Sequence, residues 1–287
     1  MKIVECPRDA MQGIHDWIPT AKKVNYINSL LRVGFHTLDF GSFVSPKTIP
    51  QMRDTMQVLK GLQLNDTSTK LLAIVANERG ATEAAACAEI TYLGYPFSIS
   101  ETFQLRNTNA TIAQSLQRVA AIQNICAKQK KELVVYISMG FGNPYGDIWN
   151  VDIVQYWVDE LADMGVKILS LSDTIGSSTP ESIAYLFGNL IPPYPDVEFG
   201  AHLHTQPHNW REKIVAAHSN GCNRFDAALR GFGGCPMATD ALTGNMPTEN
   251  LIAYLRDEKN LDLNLNYTAF GAAMQQVDSV FAAVPNL

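Results

Sequence analysis

Eight short apolar runs, each followed by a stretch of helical spacing, recur along the chain at intervals of about 30–40 residues, a pattern that belongs to parallel α/β folds. The runs are KIVEC (2–6), FHTLDF (35–40), KLLAIVA (70–76), PFSIS (96–100), LVVYIS (133–138), VKILSLS (166–172), VEFGAHLH (197–204) and NRFDAAL (223–229). Between them the spacing predicts helices over 20–33, 50–62, 78–93, 109–130, 151–164, 179–190 and 207–220, with another over 248–257 and more helix in the last thirty residues. Eight such units within 287 residues fit a closed (β/α)₈ TIM barrel with additional C-terminal helices better than an open doubly wound sheet. No GxGxxG follows the first strand, which removes the main reason to prefer a dinucleotide-binding fold. No linker or low-complexity segment divides the chain, so residues 1–287 read as one catalytic domain. The apolar spacing of Phe270, Met274, Val277, Val280 and Phe281 suits either a helix capping the barrel or a homodimer contact.

The net charge of −6, without a basic cluster, argues against nucleic acid or an anionic membrane as the main partner. No apolar stretch is long enough for a membrane span, and the N-terminus turns polar too early for a signal peptide. The five cysteines are odd in number and form no CxxC pair. Reduced thiols in a cytoplasmic protein follow, with Cys87 and Cys126 as small apolar residues on helix faces.

In a TIM barrel the chemistry sits at the C-terminal ends of the strands. The polar residues at those ends are therefore the informative ones: Arg8 and Asp9 after strand one, Asp39 and Ser42 at strand two, Glu101 after strand four, Asp173 after strand six. In strand seven, His202 and His204 are two apart, so both imidazoles point to one face. The pair alone is equally compatible with one core histidine and one exposed one. With Asp9 it makes a mixed carboxylate–imidazole set that suits Mn²⁺, Zn²⁺, Fe²⁺ or Co²⁺ and tolerates Mg²⁺ if more oxygen ligands are supplied. Asn245, after Gly244, could add an amide oxygen, and Arg8 would set a permanent cation beside any developing oxyanion. Cys235 lies beside Gly231, Gly233 and Gly234, in a loop flexible enough to carry a thiol over a site; the alternative is a small residue packed in a turn.

The segments PRDAMQ (7–12), GSFVSPKTIPQM (41–52), SLSDTIGSSTP (170–180), AHLH (201–204), GFGGCP (231–236) and GN (244–245) together resemble hydroxymethylglutaryl-CoA lyase. That family sits in a metal-dependent TIM-barrel lyase superfamily with the isopropylmalate and homocitrate synthases. The resemblance implies retro-Claisen cleavage of 3-hydroxy-3-methylglutaryl-CoA, or a related 3-hydroxyacyl-CoA, to acetyl-CoA and acetoacetate. It implies a divalent cation, Mg²⁺ or Mn²⁺, on Asp9, His202, His204 and Asn245. It further implies that Arg8 stabilises the enolate, Asp173 orients or deprotonates the hydroxyl, and Cys235 with His202 returns the proton. Asp39 stands where the family has a glutamate, which keeps the carboxylate one methylene shorter. After the histidines the chain reads TQPHNW (205–210) in place of an Asp-Thr-x-Gly-like run, and only His15 follows PRDAMQ where the family has a basic residue.

Two other functions compete with this one. An acyl-CoA condensing synthase or aldolase of the same superfamily would keep fold and metal, but the synthases carry a long C-terminal domain. A non-catalytic barrel binding an acyl-CoA draws its support from the TQPHNW loop alone, against the joint presence of Arg8, Asp9, both histidines, Cys235 and Asn245.

Overall fold

The computed structural model describes residues 1–234 and 243–281. Strands β1 (Lys2–Glu5), β2 (Thr37–Ser42), β3 (Lys70–Ile74), β4 (Ile90–Ser98), β5 (Glu132–Ser138), β6 (Ile168–Asp173), β7 (Glu198–Thr205) and β8 (Arg224–Ala227) pair in parallel, each with its sequence neighbours. β1 also pairs β8, with Val4 opposite Asp226, and this contact closes the barrel. A two-residue strand, β9 (Gly244–Asn245), runs antiparallel to β7. Around the barrel lie α1 (Pro7–Gln12), α2 (Thr20–Leu31), α3 (Thr55–Lys60), α4 (Glu78–Ala85), α5 (Glu101–Thr108) and α6 (Ile112–Gln129). They are followed by α7 (Val151–Asp163), α8 (Pro180–Leu190), α9 (Trp210–Ser219), α10 (Thr248–Ala253) and α11 (Tyr267–Val280).

Strand alternation sorts the core into two parts. Outward residues such as Leu38, Leu71, Leu93, Val135, Leu169 and Phe225 pack beneath the helices against Leu30, Val119, Val158 and Leu186, all buried. Burial of each large aliphatic side chain stabilises the fold by about 1.5–3 kcal/mol. Inward residues Leu72, Tyr92, Val134, Tyr136 and Ile168 plug the lower barrel. Under that plug Arg224 is fully buried, with Nη1 donating to Glu198 at 3.0 Å and its guanidinium over the Tyr92 ring.

Three elements differ from the sequence expectation. The helix expected over 78–93 stops at Ala85, and β4 begins at Ile90 rather than 96. Gly94 and Pro96 look like strand breakers, yet Gly94 is inside β4 because a Cβ there would lie 2.6 Å from Ile74 Cδ1 and 3.0 Å from Tyr136 Cε2. The residues after β4 form a separate helix, α5, capped when Ser100 Oγ accepts from Phe103 N. Finally, a helix absent from the expected elements, α1, follows β1 and carries Arg8 and Asp9, with Pro7 at its first position.

Part of the C-terminal apolar stripe packs within the chain. Val277 and Val280 are buried, α11 packs on α2, and Phe281 stacks on Phe232 with centroids 4.5 Å apart. No helix among the described residues is long and apolar enough to cross a membrane.

Candidate active site

The parity of β7 places both histidines as the sequence predicts: His202 and His204 point inward, ring centroids 5.4 Å apart. β9 then sets Asn245 directly opposite His204, because His204 and Asn245 are register partners in the β7–β9 pair. From the other side, α1 rises off the end of β1 and carries Arg8 and Asp9 over the barrel mouth, both buried. Ligating atoms of Asp9, His202 and His204 all lie within 4.8 Å of one another.

Arg8 organises the carboxylates. Its Nε and Nη2 donate to Asp39, and its Nη1 donates to Asp9 Oδ1 and to Gln12 Oε1, both at 2.8 Å. A guanidinium has five N–H groups, so one Nη2–H remains outside this network. Burial opposes the charge on Asp9, but Arg8, His202 and the Asn245 amide outweigh it and hold the carboxyl below its usual range. At Asp39, by contrast, burial prevails, and the carboxyl is pushed up to about 6 despite Arg8. For Arg8 the two carboxylates overcome burial and raise its pKa, so it stays a cation.

The two histidines differ in their partners. His202 Nδ1 sits 3.1 Å from Asp226 Oδ2, and Asp226 is the register partner of His202 across β7 and β8. Burial works against charge on His202, yet Asp226 and Asp9 together raise its pKa. His204 is buried, and among the described residues neither of its ring nitrogens has a hydrogen-bond partner. Burial, reinforced by His202, lowers it to about 4, so at neutral pH it is an uncharged imidazole with a lone pair to offer. A buried imidazole without a hydrogen-bond partner is costly unless something else binds it, and the donor atoms of Asp9, His202 and His204 fit a divalent cation in chemistry and spacing. Asn245 Nδ2 donates to Asp9 Oδ2 and to the Phe232 carbonyl, which leaves the amide oxygen as the atom it could offer. Gly233 closes this corner with φ +104°; a Cβ there would meet Asn245 Nδ2 at 2.5 Å and Asp9 O at 3.0 Å.

A second group of donor atoms, on Cys6, His202 and Asp226, lies just below. Burial, then Asp226 and Asp39, push the Cys6 thiol well above its ordinary pKa. The thiolate is the ligating form, so the upper group is the better cation site.

Asp173 is not part of this cluster. Its Oδ2 accepts from Lys213 Nζ at 2.7 Å and from the Ser178 hydroxyl, and its Oδ1 accepts from Ser178 N at 3.0 Å. Both oxygens are spent, and Asp173 does not line the cavity. Lys213, itself buried, also donates to the His204 carbonyl at 2.9 Å and to Gly176 O, so the pair braces the end of β7. Glu101 is likewise turned away, its carboxylate accepting from Ile112 N. Cys235 lies outside the described residues. Sequence reading passed over Asp226 and Lys213, although an acid inside NRFDAAL at inward parity was a usable sign. Lys213 gave none, because a lysine on an amphipathic helix normally faces water.

One cavity of about 400 Å³ opens from this cluster, lined near it by Arg8, Asp9, Gln12, Tyr136, His202 and His204. Serine and threonine side chains (Ser42, Ser45, Thr48, Ser138, Ser172, Thr174) and Asn77 also line it.

Comparison with known proteins gives a consistent picture. The family model described as HMGL-like matches residues 2–277. The hydroxymethylglutaryl-CoA lyase YngG of Bacillus subtilis is 30% identical over 272 residues, covering 95% of this chain and 90% of its own. The mitochondrial hydroxymethylglutaryl-CoA lyase of Mus musculus is 32% identical, covering 89% and 78% respectively. Among solved structures, an HMG-CoA lyase from Acinetobacter baumannii in complex with coenzyme A and 3-methylmalate superposes with a TM-score of 0.89 at 28% identity, covering 98% of this chain and 91% of that one.

Proposed function

The chain belongs to the HMGL-like family, and on that premise we propose that it is a divalent-cation-dependent carbon–carbon lyase acting on 3-hydroxy-3-methylglutaryl-CoA or a related 3-hydroxyacyl-CoA. The products are acetyl-CoA and acetoacetate. The observation that carries this reading is the buried His204 imidazole, without a hydrogen-bond partner among the described residues, beside Asp9 and His202 in the cavity.

Asp9, His202, His204 and the Asn245 oxygen would hold Mg²⁺ or Mn²⁺. When bound, that ion would supply Lewis acidity toward a chelating hydroxyl and carboxylate. The protein's own contribution is positional and electrostatic. Asp226 fixes the ring of His202 so that Nε2 faces the cavity. Asp39 and Gln12 hold the Arg8 guanidinium in place, and its remaining N–H is available to the thioester oxygen. The hydroxyl proton passes to His202, which hands it on through Cys235, and as the C2–C3 bond breaks its electron pair moves onto that oxygen as an enolate. There a fixed guanidinium costs no reorganisation. Protonation of the enolate carbon by Cys235, with His202, then releases acetyl-CoA; that role rests on the family resemblance. Asp173 acts through Lys213 and the backbone of His204, not on substrate. The reading extends to a cytoplasmic location, which the odd number of cysteines without a CxxC pair supports, and to a homodimer.

The test is a coupled assay for acetyl-CoA release from 3-hydroxy-3-methylglutaryl-CoA, with Mn²⁺ or Mg²⁺ and with chelator. Release that chelator abolishes and added cation restores is the expected result. A protein that binds Mn²⁺ yet releases nothing from this thioester or from related 3-hydroxyacyl-CoA substrates would not be a lyase of this kind.

A further inference from the structure

Below the Asp9–His202–His204 cluster the barrel holds a second set of donors. Cys6 follows the end of β1, Asp226 sits on β8 and His202 on β7, and one donor atom from each lies within 4.8 Å of the other two. We propose that Cys6, Asp226 and His202 form a site for a thiophilic divalent cation of the Zn²⁺ and Cd²⁺ class, and that filling it takes His202 away from the cluster above. The site stands by itself; the exclusion rests on the cation reading of the upper cluster.

Strand register brings the three together. Val4 is opposite Asp226 in the β1–β8 pair, and Cys6, two residues on, has the same inward parity. His202 is opposite Asp226 in the β7–β8 pair. Three neighbouring strands therefore send a thiol, a carboxylate and an imidazole into the barrel at one place. Asp226 and Cys6 are 3% and 1% exposed. Asp226 meets His202 Nδ1 through Oδ2 at 3.1 Å, while its Oδ1 has no hydrogen-bond partner among the described residues. The Cys6 thiol makes one weak contact, to the Val4 carbonyl at 3.5 Å. A buried carboxylate oxygen without a partner is costly, and here it belongs to a set with the spacing of metal ligands. His202 lines the cavity, so the lower group lies directly behind the cavity wall.

Donor chemistry sorts cations between the two groups. Carboxylate, amide oxygen and imidazole suit Mg²⁺ or Mn²⁺, whereas thiolate sulfur selects softer ions. As the sulfur–metal bond forms, the thiol proton leaves to solvent, because a divalent cation deprotonates a thiol that it ligates. Asp226 stands on the Nδ1 side of the His202 ring. A cation taken there occupies the Nδ1 lone pair, the ring hydrogen resides on Nε2, and Nε2 has no lone pair left for the upper group. One imidazole thus makes the two groups mutually exclusive.

The experiment titrates the full chain with Cd²⁺ and reads the ultraviolet charge-transfer band that appears only when a thiolate ligates the ion. Wild type, Cys235→Ser and His204→Ala should all give the band; Cys6→Ser and Cys6→Ala should lose it. A wild type without the band, or a band that survives in folded Cys6 variants, overturns the site, the second result meaning adventitious binding at other thiols. Should both Cys6 variants fail to fold, X-ray absorption of equimolar Zn²⁺ on Cys235→Ser decides: sulfur with imidazole around the ion keeps the site, and no sulfur removes it. The exclusion is read from competition. Mn²⁺ at about ten times its own Kd should raise the Cd²⁺ midpoint of the wild type about ten-fold by mass action and leave that of His204→Ala where it is. An unmoved wild-type midpoint, or an equal rise in both proteins, overturns the exclusion. If the wild type binds no Mn²⁺, the cation reading of the upper cluster fails and the exclusion with it, while the band still decides the lower site.

Discussion

At the inner end of the cavity the charged side chains come from α1, β2, β7 and β8 and are mostly buried, whereas Arg106 and Arg118, which also line the cavity, stand on α5 and α6 with no carboxylate partner among the described residues. The inner charges survive burial because they compensate one another: Arg8 lies between Asp39 and Asp9, and His202 lies against Asp226. Such a set cannot lose a member cheaply, since removing one partner of a buried pair costs about 3–5 kcal/mol. Arg106 and Arg118 are partly solvated. Variants at the inner end should change cation binding and turnover together, while variants of Arg106 or Arg118 should leave cation binding unchanged.

The largest effects fall on the ligand set. His204→Ala and Asp9→Ala should each weaken Mn²⁺ binding at least 100-fold by calorimetry and leave no measurable turnover. If Mn²⁺ affinity survives the His204 change, the cation is elsewhere and the inner end is only a polar core. Arg8→Met should come next. It leaves Asp9 and Asp39 buried without their cation, so turnover should fall by about 10²–10³, the scale of losing one donor to a developing oxyanion. Unfolding free energy should fall by about 3–5 kcal/mol. Loss of stability with turnover intact would make Arg8 structural only.

Gly233→Ala sharpens the contrast within the inner end, because it alters no ligand. The new Cβ would sit 2.5 Å from Asn245 Nδ2 and 2.9 Å from Ala10 Cα, at a φ of +104° that only glycine accepts readily. Backbone on one side cannot yield, so Asn245 must. Mn²⁺ affinity should fall about ten-fold, the size of effect seen when groups behind metal ligands are disturbed. An unchanged affinity would show that Asn245 contributes nothing to the cation site.

Legibility in the sequence follows the same division. The inner end could be read because period-2 strands fix which side chains share a face, so His202 and His204 converge as soon as β7 is recognised. Parallel runs such as LVVYIS and VKILSLS are apolar on both faces and gave β5 and β6 nearly to the residue. What escaped was settled by tertiary contact. Gly94 and Pro96 disguised the middle of β4, and α5, the support of Arg106, vanished into the gap before the longer α6. Asp173 was placed correctly at a strand end, but its direction depended on Lys213, forty residues away. Alternation gives a side chain's face; it does not give the partner that claims it.

The smallest expected effect tests the outward side of the same inner strand. Glu5, next to the chain that leads to Arg8, points away from the cavity and is buried among Leu229 N and Thr248 Oγ1. Burial is the dominant influence on it, only partly offset by those two bonds, and raises its pKa from 4.5 to about 8. A raised acid keeps its proton in the folded state after the unfolded chain has lost it. Stability from this group is thus complete below the unfolded pKa and drains away as pH rises toward 8, at up to about 1.4 kcal/mol per pH unit. Glu5→Gln is neutral in both states and should escape that loss. Urea unfolding of the two proteins from pH 5 to pH 8 should show curves that diverge with rising pH, the wild type falling faster, while Mn²⁺ affinity measured at pH 7 differs little between them. Parallel curves would mean that Glu5 is ionised in the fold and that β1 carries charge on both of its faces.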